Sequence, residues 1–216
     1  MKVCWKMPAQ SLGTHTIKAR YRSDNLHFQQ INTSPPLPFP AASFDVILSF
    51  QVIEHVSDDD TYLREARRPL KPGGTLVVIT PDRKNRLLPY QKPWNRWHLR
   101  EYDIAQLAAK VSKHFQLIQE LRMGARMEIA ATEIDRYTRT KWLTLPATLP
   151  FIPEPVRRGA LDLIHAIIGK LKPAKPDAIP ASYDFDETDF IINANPPNSM
   201  NLILVAERRH DTPRHA

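Results

Sequence analysis

Residues 37–56 read Leu37-Pro-Phe-Pro-Ala-Ala-Ser-Phe-Asp45-Val-Ile-Leu-Ser-Phe-Gln51-Val-Ile-Glu-His55-Val, and residues 70–81 read Leu70-Lys-Pro-Gly-Gly74-Thr-Leu-Val-Val-Ile-Thr-Pro81. Phe44–Phe50 is a short apolar run of the kind a strand buried on both faces requires. Thr75–Thr80 is a second such run and the strongest strand signal in the chain. Between them, Ser57 suits a helix N-cap, with Asp58, Asp59 and Asp60 in the first turn, where the helix dipole favours carboxylates. Leu63, Ala66 and Leu70 then keep one apolar face, and Pro69 ends the helix. Lys71–Gly74 reads as a turn.

Working outward, Leu26–Ile31 alternates as a strand does, and Val3–Trp5 and Thr14–Tyr21 read as a short strand and a short helix. Asn32–Pro40 holds four prolines and is loop. Asp103 with Gln106 makes a capping-box-like start to a helix carrying Ile104, Leu107, Ala108, Val111 and Phe115. Phe115–Leu121 reads as a strand. This order of strands and helices is α/β alternation, which implies a parallel sheet covered by helices. The character then changes. Residues 124–198 carry nine prolines and two helical patterns, Met127–Tyr137 and Val156–Leu171. In the second, Val156, Ala160, Leu163, Ile164, Ile167, Ile168 and Leu171 form the apolar stripe, with Arg157, Arg158, Asp162 and Lys170 opposite. Leu202–Ala206 is a last strand, and the tail after Arg208 frays.

Composition bounds the chemistry. The 216 residues, 42% hydrophobic and 25% charged, support one globular domain with an addition. Six glycines, of which only Gly73 and Gly74 are neighbours, exclude G-x-G-x-x-G and P-loop cradles. Cys4 is the only cysteine, so the chain has no internal disulfide and no thiolate metal cluster. The acids Asp184, Asp186, Glu187 and Asp189 match no Ca²⁺ loop, and the eight histidines show no paired ligand spacing, so no metal is expected. The net charge of +7 suits an anionic partner or surface, but no zinc-finger or RNA-reading motif accompanies it. With neither a signal peptide nor an apolar run of about 18 residues, the expectation is a soluble cytoplasmic protein.

The LPFP…SFDVI…VIEHV…LKPGG combination resembles the class I S-adenosylmethionine-dependent methyltransferases, specifically their type 11 branch. The resemblance covers residues 26–121, and Leu202–Glu207 is similar to the family's last strand. It implies a Rossmann-like sheet, mostly parallel with an antiparallel last strand, in the order 3-2-1-4-5-7-6. It implies S-adenosylmethionine as cofactor, with Ser49, Phe50 and Gln51 contacting its methionine part and Asn32 standing near its adenine. His55 is a candidate base, though it serves equally as a plain residue at the approach to a helix. Asp45 reads as a strand-start residue rather than a catalyst.

Tyr90, Trp94, Trp97 and His98 are candidates to line an acceptor pocket, or pack within a loop. The acceptor expected is a small molecule, a glycan or a lipid-like compound. The family's acidic, glycine-rich cofactor loop and its ribose-binding acid have no counterpart here. The resemblance therefore implies an N-terminally truncated domain with impaired cofactor binding. On this reading residues 1–123 and 199–209 are the α/β domain, 124–198 a helical insertion or lid, and 210–216 a tail. The basic amphipathic helix near 154–171 either packs on its own core or meets a lipid-linked or membrane-surface substrate. A non-enzymatic relic acting as an interaction protein, and an RNA methyltransferase, are the alternative readings. Oligomeric state is not legible.

Overall fold

The computed structural model describes residues 36–171 and 187–210. The expected elements at Val3–Trp5, Thr14–Tyr21 and Leu26–Ile31, and the site residue Asn32, lie outside the described residues. The chain divides into two compact units.

The first unit comprises residues up to Thr80, Ile104–Glu120 and residues from Leu202. Strand β1 (Phe44–Phe50) pairs in parallel with β2 (Leu70–Pro81), from Val46 opposite Thr75 to Phe50 opposite Ile79. Both runs are largely apolar, and along Val46–Ser49 and Gly74–Thr80 every residue is buried or half-buried. Helix α1 (Asp59–Arg67) joins them. Its N-cap is Asp58, whose Oδ1 accepts the Thr61 amide at 3.0 Å, one residue later than the expected Ser57. That hydrogen bond holds the Asp58 carboxyl below the ordinary carboxylate range. The helix ends where Pro69 requires.

Lys71–Gly74 is not a free turn but an irregularity within β2. Phe44 faces Leu70 while Val46 faces Thr75, so residues 71–74 bow out of the ladder. Gly73 takes φ +74°, a conformation costly for residues with a Cβ. At Gly74 a Cβ would come within 2.8 Å of the Lys71 carbonyl and 3.1 Å of the Asp45 carbonyl. The pair of glycines is therefore a steric requirement of the bow. Lys71 spans it from outside, its Nζ 2.7 Å from Asp45 Oδ1, and this hydrogen bond lowers the Asp45 pKa. Asp45 is thus engaged at the start of its strand.

β5 (Asn201–Glu207) runs antiparallel to β2: Arg208, past its end, exchanges main-chain hydrogen bonds with Gly73 and Gly74 near the start of β2. The Arg208 guanidinium also donates to the carbonyls of Arg67, Arg68 and Leu70, partnering acceptors that the end of α1 leaves over. Helix α3 (Ile104–Val111) leads to β3 (Gln116–Ala125). The strands lie in the order β1-β2-β5-β3, which corresponds to 4-5-7-6 of the order implied by the resemblance. The proline-rich approach, residues 37–40, is tied to α1 by Arg68, whose guanidinium donates to the carbonyls of Leu37 and Phe39 at 2.6 Å each.

The second unit comprises Pro81–Asp103 and Leu121–Asn201. It holds the short helix α2 (Arg83–Arg86), α4 (Met127–Leu143) and α5 (Glu154–Leu171). Strand β4 (Phe190–Asn193), unforeseen from the sequence, pairs antiparallel with residues Arg122–Ala125 of β3. Met200, just before β5, donates its amide to the Met123 carbonyl. Asp82 caps α2 through the Lys84 amide and accepts the Ser199 hydroxyl at 2.5 Å.

Helix α5 is turned relative to expectation. Arg157, placed by periodicity on the outer face, is fully buried, while Val156, Leu163 and Ile167 of the apolar stripe are exposed. The inward arginine is fully engaged. Its guanidinium donates to the carbonyls of Pro93, Asn95 and His98 and to both oxygens of Glu154. Such partnering offsets the cost of taking a charge out of water.

Candidate functional site

In open α/β sheets, ligands bind beyond the carboxyl ends of the strands. In the first unit that end of β1 carries Ser49, Phe50 and Gln51. The buried Ser49 hydroxyl shares a hydrogen bond with the Tyr62 hydroxyl at 2.8 Å, across to α1. Phe50 exposes its ring. Gln51 donates its amide to the Ile79 carbonyl at 2.8 Å, yet sits at φ +52°. A non-glycine residue in the left-handed region stores strain, and such strain concentrates at functional sites.

The chain then makes a single 3-10 turn, Ile53–His55. The turn buries Glu54 completely, and its Oε2 accepts the Thr80 hydroxyl at 2.9 Å from the end of β2. The carboxyl ends of two adjacent parallel strands are thereby bridged by a carboxylate and a hydroxyl. His55 is half-buried, with Nε2 3.9 Å from Glu54 Oε1. An imidazole beside a carboxylate is chemistry for taking a proton. From the sequence Thr80 reads only as a strand residue, since pairing between strand ends has no signature along the chain.

A cavity of about 30 Å³, lined by Phe39, Phe44, Ser49 and Tyr62 among others, lies against β1 in the same unit. It has room for one water and not for a nucleoside.

In the second unit the four aromatic candidates separate. Trp94 and His98 are buried in one network. The Arg86 guanidinium lies 4.4 Å from the Trp94 ring centroid and 4.7 Å from that of Tyr137. It meets both oxygens of Glu101, at 3.0 and 3.2 Å, and His98 Nδ1 is 2.7 Å from the same carboxylate. Trp94 Nε1–H donates to the Arg86 carbonyl at 3.1 Å. Burial raises the Glu101 pKa, but the hydrogen bond from His98 and the Arg86 charge outweigh it, so the carboxyl titrates below its ordinary range. Burial opposes the Arg86 charge, and Glu101 more than restores it. Tyr90 and Trp97 stand at the surface, Tyr90 at φ +63° and Trp97 with the Arg96 guanidinium 4.2 Å over its ring. The network partners Arg86, Glu101 and Tyr137 carry no motif in the sequence that marks them as a network.

A methyltransferase-domain family model, type 11, matches residues 10–78. Over that segment the chain is similar to S-adenosylmethionine-dependent methyltransferases. A probable S-adenosylmethionine-dependent methyltransferase of Mycolicibacterium smegmatis is 40% identical over 92 residues, 42% of this chain and 34% of that protein. The ubiquinone/menaquinone biosynthesis C-methyltransferase UbiE of Hahella chejuensis is 37% identical over 86 residues, 40% of this chain and 30% of that protein. These matches therefore span about a third of the relatives' length. The YcgJ protein of Bacillus subtilis superposes with a TM-score of 0.47 at 20% identity, covering 91% of this chain and 76% of that one. S-adenosylmethionine is the cofactor of this family. No helix among the described residues is long and apolar enough to cross a membrane.

Proposed function

We propose that the chain takes part in S-adenosylmethionine-dependent methyl transfer to a small, apolar, lipid-like acceptor. The observation that carries this reading is the strained Gln51 at the carboxyl end of β1, next to the buried Glu54–Thr80 bridge. The residues present suit the cofactor's chemistry. The exposed Phe50 ring offers an apolar face, and the Gln51 carboxamide is a group with both donors and an acceptor, as an amino-acid moiety needs. When bound, the cofactor supplies an electrophilic methyl group on a sulfonium.

The work left to the protein is alignment of donor and acceptor. Ser49, Phe50 and Gln51 orient the methionine end, and the Ser49–Tyr62 hydrogen bond fixes the strand they sit on. His55 takes a proton where the acceptor must lose one, held in place beside Glu54. Tyr90 and Trp97 are assigned to the acceptor side, as exposed aromatic faces suited to an apolar ring or chain. The 124–198 segment is assigned the part of a lid. The lipid-like acceptor class is supported by the quinone-pathway name of the Hahella relative.

The test is calorimetric titration of the full chain with S-adenosylmethionine, followed by methyl-transfer assays with demethylated quinols. Binding that weakens in Gln51→Ala, and turnover that His55→Ala slows more than binding, support the roles given. Undiminished turnover in both variants removes them.

A further inference from the structure

We propose that α5 is the interface of a weak, reversible two-fold dimer, its outward apolar stripe covered by the same stripe of a second copy of this chain. Helix α5 has two faces of different kind. The inner one buries Arg157 and Leu161. The outer one holds Val156, Leu163 and Ile167, which are 57%, 62% and 48% exposed. With Gly159, Ala160 and Ala166 these residues fall within an arc of about 120°, at about 100° per residue. An arc of that width is what a globular helix buries against its core. Here it lies on the side turned away from Arg157 and Leu161.

Gly159 supplies an independent observation. It sits within the helix and is exposed, at a kind of position where alanine is the more stable residue. A Cβ built on it would meet nothing within 4 Å, so the packing of this chain does not call for a missing side chain there. The close approach of another backbone does. Small residues at 159, 160 and 166 are interspersed with large ones at 156, 163 and 167. The large side chains of one copy can therefore settle beside the small ones of the other. An interface about a two-fold axis must match itself, and a stripe holding both sizes does so.

Charge and area decide the occupant. The charged residues bordering the stripe between Val156 and Ile167 are neutralised within their own chain. Arg158 Nε donates to Glu154 Oε1 at 2.9 Å, and Asp162 pairs with Arg96. A two-fold axis brings like residues together, so an unbalanced border would repel its own copy. This balanced border does not, and it gives a strongly charged partner nothing to complement. The area is small. Three aliphatic side chains, each about half exposed, place the interface below about 1,200 Å² in total, the low end for specific association. The dimer is therefore concentration-dependent rather than obligate. The proposal stands apart from the methyl-transfer reading, because association is measured without cofactor.

The experiment is sedimentation equilibrium of the full chain from about 1 µM to about 500 µM, a range that brackets a weak dimer. The mass is expected to rise from one chain toward two. The double variant Leu163→Glu with Ile167→Glu should weaken association at least about tenfold, since each carboxylate would be buried against apolar neighbours. Both positions are exposed, so its melting curve at low concentration should match that of the parent. A second readout uses Leu163→Cys in a Cys4→Ser background, which leaves a single thiol. Its labelling rate should fall as protein concentration rises, because the dimer covers it. A mass of one chain throughout overturns the proposal. With a freely labelled thiol the stripe is then open to a different partner, and with a thiol protected at every concentration the chain covers its own stripe. Association that survives the double variant places the interface elsewhere and overturns the proposal as well.

Discussion

Arg86 meets Glu101 through both carboxylate oxygens, and both side chains are buried. A pair so placed contributes little net stability as a pair, but removing one partner strands the other. Glu101→Gln should therefore destabilise the fold by about 3–5 kcal/mol. Urea denaturation, with the slope unchanged, measures the loss. The pH dependence has a definite sign. The folded-state pKa of Glu101 is below its unfolded value, so its contribution is fully present above the unfolded carboxyl pKa. It is lost as pH falls through the folded value. The urea midpoint of the parent should fall on acidification below the ordinary glutamate range, and Glu101→Gln should flatten that fall. An equal fall in both proteins would remove Glu101 as its source.

Three glycines make opposite predictions for one substitution. A Cβ at Gly124 would come 2.2 Å from the Pro197 carbonyl, and at Gly74 2.8 Å from that of Lys71. Both neighbours are backbone and cannot move aside cheaply. Gly159, within α5, has nothing within 4 Å of such an atom. Gly159→Ala should stabilise by about 0.5–1 kcal/mol through helix propensity. Gly74→Ala should cost about 1–3 kcal/mol by overpacking, and Gly124→Ala at least as much. Thermal melts of the three variants check the ranking, and a stabilised Gly124→Ala would contradict the geometry.

Arg157 is the residue on which periodicity misled, and its removal has a clear consequence. Arg157→Ala leaves the carbonyls of Pro93 and His98 without their shared donor and should cost about 2–4 kcal/mol. Arg157→Lys should recover little, because an ammonium lacks the planar fork that reaches separate acceptors. Full recovery by lysine, read from denaturation midpoints, would show that charge alone is needed there.

That error marks where sequence reading stops. Strands Phe44–Phe50 and Thr75–Thr80 are legible because strands whose residues are mostly buried or half-buried leave a nearly continuous apolar run. The end of α1 was legible because Pro69 enforces it locally. Helix α5 was legible as a helix, yet not in its rotation. Its apolar arc is wide, and a buried arginine depends on carbonyls some sixty residues away. Lys71–Gly74 reads as a turn because glycine pairs make turns, and only the register with β1 shows it to be a bow within a strand. The same holds at the site. Ser49, Gln51 and His55 follow a local pattern, whereas the Thr80–Glu54 and Arg86–Glu101 partnerships exist only once separate segments meet.

Gln51 carries the sharpest separation between stability and function. Its φ of +52° is a conformation that glycine adopts without penalty and glutamine does not. The hydrogen bond from its backbone N–H to the Ile79 carbonyl uses the main chain and survives any side-chain change except proline. If the strain is a residue of folding alone, Gln51→Gly relieves it and nothing else is lost. If the side chain serves the cofactor, the same variant gains stability while binding declines. We expect the second pattern: a gain of up to about 1 kcal/mol, after offsetting the added freedom of the unfolded chain. S-adenosylmethionine affinity should fall alongside it. Gln51→Ala should lose binding without the gain, since alanine keeps the Cβ that makes the conformation costly. Calorimetry and urea melts on both variants decide the matter. A glycine variant that is more stable and binds as the parent does would release Gln51 from any role at the cofactor.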